Sequence, residues 1–344
     1  MNAPAQICYP GQELYALEYV IAGTWARLRR NPMERPVLIA DIGATTTRTA
    51  FVGASGAFEA MTSVSNREAG DLSDYLADTI ARFGAPRPAE AVLAVAAPVD
   101  GEEIVLTNHP WKFGKSRLTH KLGIDELIVL NDFAAAALAV PHLAETDLME
   151  IGAGESVPGG TQLVCGPGTG FGVAALHYFE GRPRVIASET GHMRFGATNA
   201  DEARILAYLT KDLGSVVIEH LLSGAGMTRL HFILHAQSSD ARSIIADASD
   251  GVLAAQETIM VFLRIFGRIA GDLALAFDAR GGVFLAGGVV RSLAPVIAAS
   301  PFLNSFLDHP PYEERLGAMP IKLVLHSMPG LLGAASVARK KFAA

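Results

Sequence analysis

Cysteine is nearly absent from this chain. Cys8 and Cys165 are the two in 344 residues, too few for a disulfide framework and too far apart for a CxxC metal site. That scarcity fits a reducing, cytoplasmic setting. Basic charge is also short: 28 Lys and Arg against 35 Asp and Glu give a net charge of −7. Such a balance leaves no electrostatic footprint for nucleic acid or an anionic membrane. Any phosphate group is therefore expected to be held locally. No uninterrupted apolar stretch approaches the ~18 residues of a membrane span. Nor do the first 36 residues read as a secretory signal. Glu13 and Glu18 interrupt them, and Arg27, Arg29 and Arg30 follow the apolar part instead of leading it.

Apolar side chains are plentiful. Half the residues are hydrophobic and 18% are charged, enough for a sizeable core and, at this length, for two domains. Residues 1–36 form an N-terminal extension in which Leu14, Leu17, Val20, Ile21, Trp25 and Leu28 fall at helical spacing. VLIADIG (37–43) then reads as a buried strand, and TRTAFVG (47–53) as its hairpin partner. A helix is predicted from Asp71 to Phe83, stopped by Gly84 and Pro86. AVLAVAAPV (91–99) and ELIVLND (126–132) are further strands, the second running directly into the helix-forming FAAAALAV. The second half repeats this theme: TQLVCG, a glycine turn, VAALHYF and RPRVIAS, then helices, then GGVFLAGGVV as strand, turn and helix. Strands and helices alternating in two related halves predict an α/β fold with mixed sheets covered by helices.

The most informative segment is QLVCGPGTGFGV (162–173), with glycine at every second position from Gly166 to Gly172. Glycine is favoured where a backbone turns sharply or approaches a ligand more closely than a Cβ permits. Successive N–H groups in such a turn make a nest for anions, phosphate above all. A simple hairpin turn explains the same pattern. Asp41 ends a buried strand beside Gly43 and the hydroxyls of Thr45, Thr46 and Thr47, a setting suited to hydrated Mg²⁺ on nucleotide phosphates. The plainer reading is an Asp bonded within its own turn.

Asn131 and Asp132 stand where a strand becomes a helix. Either is an ordinary N-cap, yet a carboxylate held ionised there by the helix dipole also serves as a base. Glu189 and His192 lie in ASETGHMRF. An E-x-x-H pair on a helix suggests metal, but Gly191 and the surrounding β-character point to a loop, where the two side chains suit adjacent sugar hydroxyls. Glu219 and His109, taken alone, carry no signal beyond solvated surface.

Taken in order, these segments resemble bacterial ATP-dependent glucokinase, of the hexokinase and actin-like ATPase superfamily. DIGATTTR (41–48) is similar to the family's first phosphate motif and GPGTGFGVA (166–174) to its second. LTNHPW, LNDFAAAALAVP, SETGH, EHLLSGAG, FLAGGVV and PGLLGAA complete the series. The resemblance runs from about Val37 to the C-terminus and leaves out residues 1–36.

It implies two related ribonuclease H-like α/β domains with the active site in the cleft between them. Residues 37–141 plus 327–344 would form the small domain and 142–326 the large one. It also implies transfer of phosphate from ATP to the 6-hydroxyl of glucose, a cytoplasmic homodimer, and no nucleic-acid or membrane partner. Asp132 would be the catalytic base; Asn131, Glu189, His192 and Glu219 would join it in holding the sugar. Asp41, Gly43, Thr45, Gly168, Thr169, Gly170, Gly287 and Gly288 would bind the nucleotide, with Asp41 organising Mg²⁺ through water.

Four positions depart from the family pattern. Ala44 replaces a glycine and Thr46 an asparagine of the first phosphate loop; Thr190 replaces a glycine and Arg194 an aspartate near the sugar. They bear on the choice of hexose, with mannose or glucosamine as alternatives, and on turnover, with a weakly catalytic sugar sensor as the extreme. A dinucleotide fingerprint, G-x-G-x-x-A at Gly170–Ala175, fails because it needs a helix where VAALHYF reads as a strand. A repressor reading fails for want of a helix-turn-helix and a cysteine-rich zinc motif.

Overall fold

A computed structural model describes residues 35–342 apart from Ala54 and Ala85. The helix expected over residues 1–36 lies outside the described residues save for Arg35 and Pro36. Two sheets organise the rest. The first contains β1 (Val37–Ile42), β2 (Thr46–Val52), β3 (Phe58–Ser65), β4 (Glu90–Val95) and β7 (Glu126–Asn131), in the order β3-β2-β1-β4-β7. A small ribbon, β5 (Glu103–Val105) with β6 (Lys112–Gly114), sits apart. The second sheet contains β8 (Leu148–Ala153), β9 (Gln162–Pro167), β10 (Phe171–Phe179), β11 (Arg182–Ser188), β12 (Gly282–Leu285) and β13 (Pro320–Val324), ordered β11-β10-β9-β12-β13-β8.

The two sheets share one plan. Each begins with an antiparallel meander of three strands and adds two parallel strands beside the first. In the second sheet β8 adds an antiparallel edge on β13. β1 and β4 are apolar along nearly their whole length because helices cover both faces. The edge strand β3, by contrast, is largely exposed and has little hydrophobic pattern.

The helix Leu72–Phe83 shows how local signals set an element. Asp71 caps it, accepting from the N–H groups of Ser73 and Asp74 at 2.9 and 3.0 Å. Leu72, Leu76 and Ile80 recur every four residues and are buried against the outer face of the first sheet. It ends at Gly84, whose φ of +90° favours glycine.

Two helices between the sheets exchange places. The helix Asp132–Ala139 follows β7 of the first sheet but packs on β9, β10 and β11 of the second. The C-terminal helix Pro329–Phe342 follows β13 of the second sheet and packs on β1, β2 and β4 of the first. Their alanines and Leu331 join the inner faces of both sheets in one core cluster, with Ile39, Val92, Val164 and Leu176. The two helices cross so closely that a Cβ on Gly333 would overlap the Ala135 carbonyl. A larger core lies behind the second sheet around the helix Leu253–Ala276.

Candidate active site

A cleft of about 630 Å³ opens between the sheets, and every residue singled out above as a binding or catalytic group lines it: Asp41, Gly43, Thr45, Asn131, Asp132, Gly168, Thr169, Gly170, Glu189, His192, Glu219, Gly287 and Gly288. Strand ends bring them together. β1 delivers Asp41, β7 delivers Asn131 and Asp132, and the β9–β10 hairpin delivers the glycine turn. This is where ligands gather in sheets of this kind, at the carboxyl ends of parallel strands.

Asn131 and Asp132 divide their work. The Asn131 Oδ1 caps the helix, accepting from Phe133 N at 3.0 Å and Ala134 N at 3.1 Å. Asp132 Oδ1 accepts from Phe133 N at 2.9 Å. The expectation that the helix dipole holds Asp132 fully ionised is not met. Although the residue keeps an opening to the cleft, burial of its carboxyl group pushes its pKa up to about 7, and the negative charges of Asp41 and Glu189 add to that rise. The backbone N–H groups beside it pull the other way and are outweighed.

Asp41 sits opposite Arg48 in the β1–β2 ladder, and the two form an ion pair at 3.5 Å. Burial raises the Asp41 pKa, and the Arg48 guanidinium partly offsets the rise. Gly330, at the start of the C-terminal helix, lets that helix approach; a Cβ there would stand 2.9 Å from Asp41 Oδ1. Asp41 and Asp132 from the first sheet and Glu189 from the second thus bring negative charge to the cleft, which a divalent cation would relieve. No cluster of three His, Cys, Asp or Glu side chains able to hold a metal occurs among the described residues. Asp41, a single carboxylate lining the cleft, would suit Mg²⁺ held otherwise by water and phosphate.

The first loop is pinned from behind by Asn66, which sequence reasoning missed. This buried side chain donates from Nδ2 to the Gly43 carbonyl at 2.8 Å and accepts from the Thr47 hydroxyl at 2.9 Å, while its backbone N–H donates to Thr45 O at 2.9 Å. Thr47 is consequently turned away from the cleft. Thr45 and Thr46 face it, as does Ala44. Asn108 and Arg291 also line the cleft without having been singled out. The first sits one residue from His109, which instead stacks edge-on against Trp111.

The glycine run is indeed a hairpin, closed by Gly168 N donating to Gly170 O at 2.8 Å. Its glycines serve different ends. A Cβ on Gly166 would overlap the Ala286 carbonyl, one on Gly170 the Glu219 carboxylate, and one on Gly172 the ring of Phe133. Only Gly168 of the four faces space, its nearest neighbour being Gly288 N at 3.8 Å, and a Cβ on Gly288 would meet nothing within 4 Å. Open space beside the backbone lies at Gly168 and Gly288.

Glu219 is not an idle surface acid. It lies on the short turn Ile218–His220, and its Oε2 accepts from Phe171 N at 2.8 Å. Glu189 caps the turn Thr190–His192 and His192 ends it, and both side chains are exposed to the cleft. Two departures noted in the sequence find local partners. The Thr190 hydroxyl accepts from Ser188 Oγ at 3.3 Å, and Arg194 donates to Ser215 Oγ at 2.9 Å without lining the cleft. Cys165 is fully buried, its thiol pushed up to about 12, so it offers no nucleophile.

Two sheets of one plan, a cleft between them walled by glycine turns and floored by carboxylates, define a phosphotransferase of the actin-like ATPase class. The Glucokinase family model matches residues 38–341. Curated glucokinases of Chromohalobacter salexigens and Chromobacterium violaceum are 37% and 35% identical, over 88% and 89% of this chain and 97% and 90% of their own. The crystal structure of a glucokinase from an Antarctic psychrotroph superposes with a TM-score of 0.77 at 31% identity, covering 89% of this chain and 99% of that one. The chain belongs to the glucokinase family.

Proposed function

We infer that the cleft carries out ATP-dependent phosphorylation of glucose at its 6-hydroxyl, giving glucose 6-phosphate and ADP. The observation that carries the mechanism is Asp132: a carboxylate with a pKa raised to about 7, at a helix start between the nucleotide turns and the Glu189–His192 turn. A base tuned near working pH accepts a proton most effectively. In this reading Asp132 takes the proton of the 6-hydroxyl as that oxygen bonds to the γ-phosphorus, and the bond to the ADP oxygen breaks. The transition state is loose, so placement of the hydroxyl matters more than basicity.

Glu189, His192 and Glu219 hold the remaining sugar hydroxyls. Asn131, its carbonyl engaged as the helix cap and its Nδ2 donating to the Ala97 carbonyl at 3.4 Å, has the second Nδ2 hydrogen to offer. Gly43, Thr45, Gly168, Thr169 and Gly170 cradle the phosphates, and Gly287 and Gly288 lie beside the adenosine. Mg²⁺, with Asp41 on its water shell, would neutralise charge on the transferring phosphate. A small domain of residues 37–141 plus 327–344 closing on a large one of 142–326 would exclude water as a competing acceptor.

The family resemblance supports a homodimer acting at the entry to glycolysis, and the scarcity of cysteine a cytoplasmic one; among the described residues no helix is long and apolar enough to cross a membrane. The test is ADP release measured with MgATP against glucose, mannose and glucosamine. Glucose should give the highest kcat/KM, and ADP release with none of them would refute the assignment.

A further inference from the structure

Because Glu189 and His192 sit exposed on one short turn, their aim depends on the backbone that carries them. That backbone is fixed first by a seam. Ile218 N donates to Met193 O at 3.0 Å, Phe195 N donates to Val216 O at 3.0 Å, and Arg194 bridges Val217 between them. The seam ties the turn to the segment that presents Glu219, so the three side chains share one platform.

A second anchor lies directly behind. Arg268, on the helix Leu253–Ala276, places its guanidinium over the Phe195 ring, 5.1 Å from the centroid. Its Nη2 donates to the Gly196 carbonyl at 3.0 Å and to Glu202 Oε2 at 3.1 Å. The Glu202 side chain is 1% exposed, and the same Oε2 accepts from Thr198 N and Thr198 Oγ1 at 3.0 and 3.1 Å. Every residue from Phe195 to Thr198 except Ala197 is thereby gripped by one arginine or its carboxylate partner. A planar guanidinium both stacks and forks, which an ammonium cannot reproduce. Buried ion pairs are often neutral for stability when compared with apolar replacements, so a pair built into the end of this loop has a geometric use.

Resting on the reading that this side of the cleft holds the sugar, we propose that Arg268 is a positioning residue for sugar binding. It acts through Phe195, Gly196 and Glu202 to hold the 189–195 turn in register with Glu219. It touches neither substrate nor the reacting atoms.

Two variants keep the fold testable. Arg268→Lys retains a charge opposite Glu202, and the double variant Arg268→Met/Glu202→Gln removes both charges. Each should melt within a few degrees of the wild type yet raise the KM for glucose about tenfold, with the KM for ATP and kcat within about twofold. Amide exchange should accelerate in residues 189–198 and not around the 166–172 hairpin. Folded variants with an unchanged glucose KM, or with glucose and ATP constants raised together, would overturn the proposal. Exchange is read without turnover. A wild type that releases no ADP with glucose would therefore sink the assigned reaction, whereas unchanged exchange at 189–198 would sink the clamp.

Discussion

Gly172 lies flat against the ring of Phe133, so close that a Cβ on the glycine would fall among the ring's own atoms. Gly168, two pairs away in the same hairpin, has open space beside it. The two glycines should therefore fail differently. Gly172→Ala is expected to lower stability by about 1–3 kcal/mol, the cost of overpacking. Gly168→Ala should leave the melting temperature unchanged and raise the KM for ATP. Thermal melts and ATP titrations at saturating glucose check the pair. A stability loss in the second, or none in the first, would contradict this division of roles.

Asp132→Ala should reduce kcat by about 10²–10⁴-fold, the usual worth of a positioned general base. Glucose binding, measured by calorimetry without nucleotide, should stay within about threefold. Turnover equal to that of the wild type would remove Asp132 from the mechanism.

The pH dependence follows from the same group. A base with a pKa of about 7 must lose its proton to act. So kcat/KM should fall tenfold per pH unit below that value and level off above it. Stability runs the opposite way. The folded pKa lies above the ordinary carboxylate value of 3.8, so the native state binds the extra proton between the two. The corresponding stability is present at about pH 4 and lost as pH rises through about 7. Asp132→Asn should consequently raise the melting temperature at pH 8 and change it little at pH 4. Equal shifts at the two pH values would refute the linkage.

Asn66→Ala should loosen the first phosphate loop. It strands the Gly43 carbonyl and the buried Thr47 hydroxyl, at about 1–3 kcal/mol for each unsatisfied group. The KM for ATP should rise by roughly tenfold, with that for glucose much less affected. Steady-state kinetics in both substrates separates the outcomes.

Much of this was legible in the chain. VLIADI and EAVLAV announce central strands because burial on both faces demands unbroken apolar runs, and Asp71 and Gly84 mark their helix by chemistry that acts locally. β3 left no such trace: FEAMTSVS lies at a sheet edge with most side chains in solvent. The glycine hairpin was readable as a turn, but Gly170 and Gly172 are explained by Glu219 and Phe133, which are distant in sequence and adjacent only after folding. Asn66 was invisible for a similar reason, since a lone Asn before a short helix reads as local. The raised pKa of Asp132 comes first from burial of its carboxyl group in the folded cleft, with Asp41 and Glu189 adding to it, and the dipole argument available from sequence gave the opposite sign.

The exchanged helices bear on how the chain must be made. Each inner helix lies on the sheet to which it does not belong by sequence, so neither half owns a complete core. A fragment ending near residue 141 would lack the helix that covers its own sheet, and the complementary fragment would lack the one from residues 132–139. The two halves should be insoluble when expressed apart and recover activity when produced together. During synthesis on the ribosome the first sheet must wait for residues 329–342, and its final covering forms only after that helix has emerged.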